Sequence, residues 1–366
     1  MYNVVWQQLY SSWKLLFGVK ELSIIIPTYN ERENIGRLIE MIIESLNGID
    51  FEIIVVDDNS PDGTGEFVEQ LSNELANLKV IHRPGKLGLS SAILDGASIA
   101  QGYAIGVIDA DLQHPPQILK EMFSKILEGY DVVVASRYIK GGGIEGWSFT
   151  RKIISKTASF LAHLLLKRCR TVSDPLSGYF MFRKDVIDGV KFEAKGYKIL
   201  LEVLEKGRYN KVAEVPYIFR SRKAGESKMK FNEILNYVKL LMKLSEYRVL
   251  KFVSVGLSGV VVNLGSLWLL VNLFNFPELY SAIFSIELSI INNFILNDFW
   301  TFKDRRSSNF FYRLIKFHGS ALGPLINYIV YVFLLLFGVN YLVADAIGIV
   351  CGFVANYLFS EFIVWR

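Results

Sequence analysis

Hydrophobic positions along this chain change character near Tyr247. Before it, short apolar runs alternate with helical patterns and polar turns; after it, four long apolar segments dominate. In the first part, Leu22-Ser-Ile-Ile-Ile-Pro27, Phe51-Glu-Ile-Ile-Val-Val56, Lys79 to His82, Ala104 to Asp109 and Asp131-Val-Val-Val-Ala135 read as strands. Between them lie helical patterns such as Ile35, Leu38, Ile39, Ile42 and Ile43. Strands alternating with helices predict a largely parallel sheet covered on both faces. In such sheets ligands sit beyond the strand carboxyl ends, so the polar turns after Pro27, Val56 and Ile108 are expected to converge at one mouth.

Further on, a glycine-rich loop, Gly141-Gly142-Gly143, precedes a predicted helix from about Arg151 to Lys167. Its apolar positions (Ile153, Ile154, Phe160, Leu161, Leu164, Leu165) and basic ends suit an anionic membrane surface, or equally a core-packed helix with solvated ends. Asp174 to Arg183 reads as a turn and a strand, Val212 to Phe219 as another strand, Arg220 to Lys228 as a basic loop, and Phe231 to Glu246 as an amphipathic helix. Residues Met1 to Lys20 carry Val5, Trp6, Leu9, Trp13, Leu16 and Phe17 on one helical face. An in-plane membrane anchor and a helix docked on the protein fit that face equally, and it lacks the basic start and cleavage site of a secretory signal.

The segments Leu250 to Phe274, Leu279 to Trp300, Ile315 to Phe337 and Tyr341 to Trp365 each reach the ~20 residues that span a bilayer. Lys303, Arg305, Arg306, Arg313 and Lys316 crowd the middle connection, while the outer two carry no Lys or Arg. The positive-inside rule therefore predicts a multi-pass membrane protein whose middle connection and α/β part face the cytoplasm. The two hairpins also resemble each other: Asn293 to Trp300 aligns with Asn356 to Ile363, and Val262-Asn263 with Ile326-Asn327. A duplicated hairpin of this kind gives copies related by an axis along the membrane normal. Asn292, Asn293, Asn297, Asp298, Asn356 and Glu361 would form either a hydrated niche beside a lipid headgroup or hydrogen bonds that hold the bundle.

Composition agrees with a membrane part. The 366 residues are 51% hydrophobic and 21% charged, with a mean hydropathy of +0.30, too apolar for an ordinary soluble enzyme. The net charge of +4 is small, and no basic run with interleaved aromatics marks a nucleic-acid binder. Cys169 and Cys351 suggest neither a disulfide framework nor a thiolate metal site.

The strongest candidate chemistry is Asp109-Ala-Asp-Leu-Gln113, where an apolar strand ends in two carboxylates. Alternate residues of an extended chain share a face, so Asp109, Asp111 and Gln113 are expected to face one cation. Their oxygens suit Mg²⁺ or Mn²⁺.

Together with Pro27-Thr-Tyr-Asn-Glu31, Val56-Asp-Asp-Asn-Ser-Pro-Asp-Gly-Thr64, Gly88-Leu-Ser-Ser91, Ser136-Arg137, Asp174-Pro-Leu-Ser-Gly178 and Gly225-Glu-Ser-Lys228, this motif resembles glycosyltransferase family 2 over roughly residues 21 to 230. The similarity extends to its polyprenyl-phosphate sugar transferases. The tail resembles a GtrA-like membrane domain through its hydropathy and Asn297-Asp-Phe-Trp-Thr-Phe302. The resemblance implies an α/β GT-A fold at 21–230, including an interface helix at 151–168. An amphipathic helix at 1–20, a connecting helix at 231–248 and an all-α four-helix transmembrane domain at 249–366 complete the expected organisation.

By position, the resemblance implies that Pro27, Tyr29, Glu31, Val56, Asp58, Ala110, Asp111 and Leu112 hold the nucleotide sugar. Asp109, Asp111 and Gln113 would hold Mg²⁺ or Mn²⁺. Arg137, Arg151, Arg222 and Lys228 would bring positive charge to donor and acceptor phosphates. The implied reaction is inverting transfer of mannose from GDP-mannose to dolichyl or another polyprenyl phosphate. UDP-glucose is the alternative donor. A processive polysaccharide synthase is disfavoured because no Gln-x-x-Arg-Trp string occurs; a lipid carrier with a transferase-like head is the other rival.

Overall fold

The computed structural model describes residues 20–193, 198–220, 231–306, 308–319 and 323–366. The chain divides into two compact units at Leu244/Ser245. The expected helix at 1–20 lies outside the described residues.

The first unit is built on β1 (Leu22–Thr28), α1 (Ile35–Ser45), β2 (Phe51–Asp57), α2 (Thr64–Ser72), β3 (Leu78–His82), α3 (Leu89–Ile99) and β4 (Ala104–Val107). It continues with α4 (Leu119–Leu127), β5 (Val132–Ser136), β6 (Gly143–Ile144), α5 (Phe149–Leu165), β7 (Phe180–Arg183), α6 (Ile199–Lys206), β8 (Val212–Pro216), β9 (Ile218–Phe219) and α7 (Phe231–Leu244). Seven strands form one sheet in the order β3-β2-β1-β4-β7-β5-β8, and β6 pairs with β9 separately.

Every residue of β1 and β2 is buried, because both faces of the sheet carry helices. Period-two alternation divides β1 between the layers. Leu22, Ile24 and Ile26 join Ile35, Leu38, Ile39 and Ile42 of α1, while Ile25 packs with Ala92, Ile93 and Ala97 of α3. The unbroken apolar runs in the sequence reflect this two-sided burial.

All pairings in the large sheet are parallel except those of β7, which runs antiparallel between β4 and β5. Phe180 at the start of β7 pairs with Val107 at the end of β4. The turn before β7, Asp174 to Gly178, is thereby delivered to the carboxyl ends of the parallel strands. The predicted strand Val212 to Phe219 divides at Tyr217, so that β8 extends the large sheet and β9 pairs with the glycine-rich loop.

The second unit contains α8 (Arg248–Trp268), α9 (Glu278–Leu296), α10 (Phe310–Gly319), α11 (Gly323–Leu336) and α12 (Tyr341–Phe359). Four helical stretches are long and apolar enough to cross a membrane. Three of them, α8, α9 and α12, end in π-helical turns, Leu269–Leu273, Asn297–Thr301 and Ser360–Val364. Under the sequence alignment of the hairpins the turns after α9 and α12 correspond position for position. The same correspondence holds inside: a Cβ on Gly259 would meet the amide of Asn293, and one on Gly323 that of Asn356. Each hairpin thus closes on a glycine and asparagine contact of the kind that lets helix backbones approach.

The intramembrane polar residues join helices to one another. Asn292 donates to Ser258 Oγ at 3.1 Å, and Asn356 Oδ1 accepts from the Gly323 amide at 2.9 Å. Asp298 accepts two hydrogen bonds from Arg313 and one from the Trp365 indole, and Glu361 pairs with Arg305. Arg305 and Arg313, two of the cations in the middle connection, are consequently buried.

Candidate active site

The carboxyl ends of β1, β2 and β4 open on a cleft of about 310 Å³ lined by Pro27, Thr28, Tyr29, Glu31, Asp58, Lys86, Gly88, Leu89, Ala92, Asp109, Ala110 and Asp111. Its volume is within the range of small-molecule sites. Six of the expected nucleotide-sugar residues (Pro27, Tyr29, Glu31, Asp58, Ala110 and Asp111) therefore share one wall with Asp109.

Backbone turns at the strand ends fix this wall. Asp57, buried at the end of β2, accepts hydrogen bonds from Thr28 Oγ1, Ser60 N and Ser60 Oγ, tying the β1 turn to the β2 turn. Asp58 is committed on both oxygens. One pairs with Arg83, and the other accepts the Gly88 amide at 2.9 Å. Arg83 also reaches Ser91 Oγ at 2.6 Å and Asp95 at 3.0 Å, so a buried guanidinium clamps the start of α3. Gly88 sits at φ +100°, a conformation that favours glycine. At the outer edge the Lys86 ammonium lies 3.5 Å from the centroid of the Tyr29 ring, a cation–π contact on an aromatic platform.

The Asp109 region departs from the expected extended alternation. Strand β4 ends at Val107, and Leu112 adopts a left-handed φ of +59°. Asp109 and Asp111 both line the cleft, and Gln113 is buried. Its Nε2 donates to the Arg220 carbonyl at 2.8 Å, and its own carbonyl accepts the Arg220 amide. Leu112 is half-buried and packs against the core, and the Val56 side chain is fully inside it; contact with a ligand at Val56 falls to its backbone. Two carboxylates on one cleft wall form a hard all-oxygen donor set that fits Mg²⁺ or Mn²⁺. Among the described residues no cluster of three His, Cys, Asp or Glu side chains forms there, so further coordination positions are left to other oxygens.

A second group of residues backs Asp109. The Arg137 guanidinium forms a two-point pair with Asp174 at 2.7 and 2.8 Å; burial opposes its charge, but this pairing raises its pKa. Asp174 also accepts the Arg137 amide, locking the turn before β7 to the end of β5. From that turn Gly178 lies against Asp109, where a Cβ would come 2.8 Å from Oδ2. His114 is buried with Nδ1 3.8 Å from the same oxygen. Burial first, then the charges of Arg137 and Lys198, hold His114 down to about 3, keeping the imidazole neutral at physiological pH. Lys198 is pulled below the usual lysine range by burial and by Arg137, against the opposing charges of Asp109 and Asp174.

Lys86, Arg83, His114 and Lys198 carried no assigned role in the sequence reading. His114 directly follows the Asp109–Gln113 motif, and Asp174 and Gly178 bound the Asp174–Gly178 motif, but Lys198 has no local signal and reaches the site only through the fold. Arg151 stands at the start of α5 with its guanidinium carbon 4.2 Å from the Trp147 ring centroid. Arg222 and Lys228 lie outside the described residues.

Residues 23–190 match the model of glycosyl transferase family 2, and residues 251–366 that of the GtrA/DPMS transmembrane domain. The chain is similar to the dolichol-phosphate mannosyltransferase of Pyrococcus furiosus, with 46% identity over 351 residues covering 94% of this chain and 99% of that one. It is 34% identical to the dolichol-phosphate mannosyltransferase of Saccharomyces cerevisiae over 276 residues, 72% of this chain and 99% of the relative. The polyprenol monophosphomannose synthase of Mycolicibacterium smegmatis is 34% identical over 220 residues, 58% of this chain and 82% of the relative.

Proposed function

The chain belongs to the dolichol-phosphate mannosyltransferase family, and on that premise we propose that it transfers mannose from GDP-mannose to dolichyl phosphate with inversion at the anomeric carbon. The observation that carries this reading is the cleft that unites the Tyr29 platform with Asp109 and Asp111.

In this reading the donor lies along the strand ends. The Tyr29 ring offers a stacking face for the base, with Lys86 above it. Glu31 and the wall held by Asp58 and Arg83 border the nucleoside. Asp109 and Asp111 would hold the cation, with Gln113, whose Nε2 is committed to Arg220, as the third candidate ligand. A bound Mg²⁺ or Mn²⁺ supplies Lewis-acid stabilisation of the negative charge on the departing nucleoside diphosphate. Arg137 and Lys198 add fixed positive potential around that charge, and Arg151, Arg222 and Lys228 serve the phosphates of donor and acceptor.

The acceptor needs no strong general base. A phosphate monoester has a second pKa of about 6 and is mostly dianionic at neutral pH, so its oxygen can displace the diphosphate in line. Catalysis then rests on positioning and electrostatics. Sequence topology supports a cytoplasmic catalytic unit, because the basic connection between the second and third spans lies on the side from which the first span starts.

The test is transfer of labelled sugar to dolichyl phosphate from GDP-mannose and, in parallel, UDP-glucose, with Mg²⁺ or Mn²⁺ and with chelator. Metal-dependent lipid-linked mannose is the expected product. Label from UDP-glucose alone would replace the donor, transfer undiminished by chelator would remove the metal, and no lipid product from either would overturn the reading.

A further inference from the structure

The oxygen Oδ2 of Asp109 is flanked by Gly178, where an added Cβ would come within 2.8 Å, and by the imidazole of His114, whose Nδ1 stands 3.8 Å away. That nitrogen is buried and has no hydrogen-bond partner among the described residues. Leaving a buried polar atom unsatisfied costs about 1–3 kcal/mol. The ring is also held in place: it stacks on Tyr179 with centroids 5.2 Å apart, and meets Tyr217 at 5.6 Å and Phe219 at 5.4 Å edge-on. An imidazole needed only for filling the core would be replaceable by phenylalanine without an orphaned nitrogen.

We infer that His114 is a positioning residue for the metal site: its Nδ1–H holds Asp109 through Oδ2 and presents Oδ1 to the cation. The inference rests on the proposed role of Asp109 as a metal ligand. The two atoms must close by about 1 Å to reach hydrogen-bond distance, a shift within the reach of a carboxylate rotation. Gly178 limits how far the carboxylate can turn away, so the histidine and the glycine together define its plane. Partners that orient metal ligands in this way typically change metal affinity 10–100-fold when removed.

The experiment measures Mn²⁺ binding to the full-length protein in detergent with GDP present and no acceptor, so no turnover is needed. His114→Phe keeps the aromatic packing and removes the donor. His114→Asn replaces the donor at the Nδ1 position, and His114→Gln carries its amide one atom further out. Asp109→Asn is the reference for loss of a ligand. The expected result is a Kd for Mn²⁺ raised about 10–100-fold in the Phe and Gln variants and largely recovered in the Asn variant, with the metal-free melting temperature of the Phe variant not lowered. Wild-type affinity in the Phe and Gln variants, with Asp109→Asn impaired, overturns the role of His114. Equal weakening in Phe, Gln and Asn variants accompanied by lower melting temperatures reduces it to packing, which also overturns the inference. Wild-type affinity in Asp109→Asn removes the metal-ligand reading itself, and the inference falls with it.

Discussion

Gly178 and Asp109 are in contact: a methyl group on the glycine would come 2.8 Å from the carboxylate Oδ2. The antiparallel insertion of β7 brings these two residues together, although they belong to different motifs. Gly178→Ala must displace the end of a short side chain rather than backbone, so the fold tolerates it while the carboxylate moves. We expect mannosyl transfer to fall at least about tenfold, the equivalent of ~1.4 kcal/mol in the barrier, with the melting temperature near wild type. Rate assays on a variant with an unchanged thermal transition check this.

Asp109→Asn and Asp111→Asn each remove one charged oxygen donor from the same cleft wall. If the cation contributes several kcal/mol to the departing diphosphate, turnover drops roughly a thousandfold in either variant. Initial rates across a Mn²⁺ titration are the measurement; a variant whose activity returns at high metal has lost affinity only.

The Arg137–Asp174 pair is buried, with Asp174 fully enclosed. Breaking it by Asp174→Ala strands a guanidinium and should destabilise the first unit by about 3–5 kcal/mol. Replacing both partners with apolar residues, Arg137→Met with Asp174→Leu, should restore much of the stability. Transfer activity should stay low in the double variant, because the Arg137 guanidinium is no longer there to meet the phosphates. Denaturation and rate measurements on the single and double variants separate the two contributions.

At the opposite ends of the strands, Glu52 accepts from Ser23 Oγ at 2.7 Å, the Gln101 amide at 2.6 Å and Lys79 Nζ at 2.6 Å. Burial alone would raise its pKa, but the bonds to Lys79, Ser23 and Gln101 outweigh it and hold the carboxyl below its ordinary value. Its folded pKa is depressed, so its stabilisation is present above the unfolded carboxylate pKa and is lost as pH falls through the folded one. Wild type should therefore be more stable than Glu52→Gln near neutrality, with the gap closing under acid. Thermal transitions of both proteins between pH 7 and pH 3 read the gap directly.

In the second unit, Gly259→Val would drive a side chain into the Asn293 amide, which a Cβ alone would already meet. Overpacking of this kind costs about 1–3 kcal/mol. Gly259→Val combined with Asn293→Ala should recover part of the loss, and Gly323 with Asn356 should behave the same way. Unfolding of the detergent-solubilised protein, followed for singles and doubles, gives the coupling.

Strand and helix alternation, the four apolar spans and the doubled hairpin are legible in the chain, because two-sided burial and bilayer thickness each impose a length and a period that read directly along it. The sequence also placed Asp109, Asp111, Asp58, Tyr29 and Glu31 at strand ends, where local order alone puts them at one mouth. What backs that mouth depends on contacts between residues far apart in the chain. The antiparallel β7 carries Asp174 and Gly178 to Arg137 and Asp109, a relation no local pattern encodes. The left-handed turn at Leu112 breaks the extended backbone on which the parity of Asp109, Asp111 and Gln113 was argued, since parity holds only while the backbone stays extended. Long-range packing likewise turned the intramembrane carboxylates Asp298 and Glu361 into buried partners of Arg313 and Arg305, because a charge removed from water is retained where an opposite charge meets it.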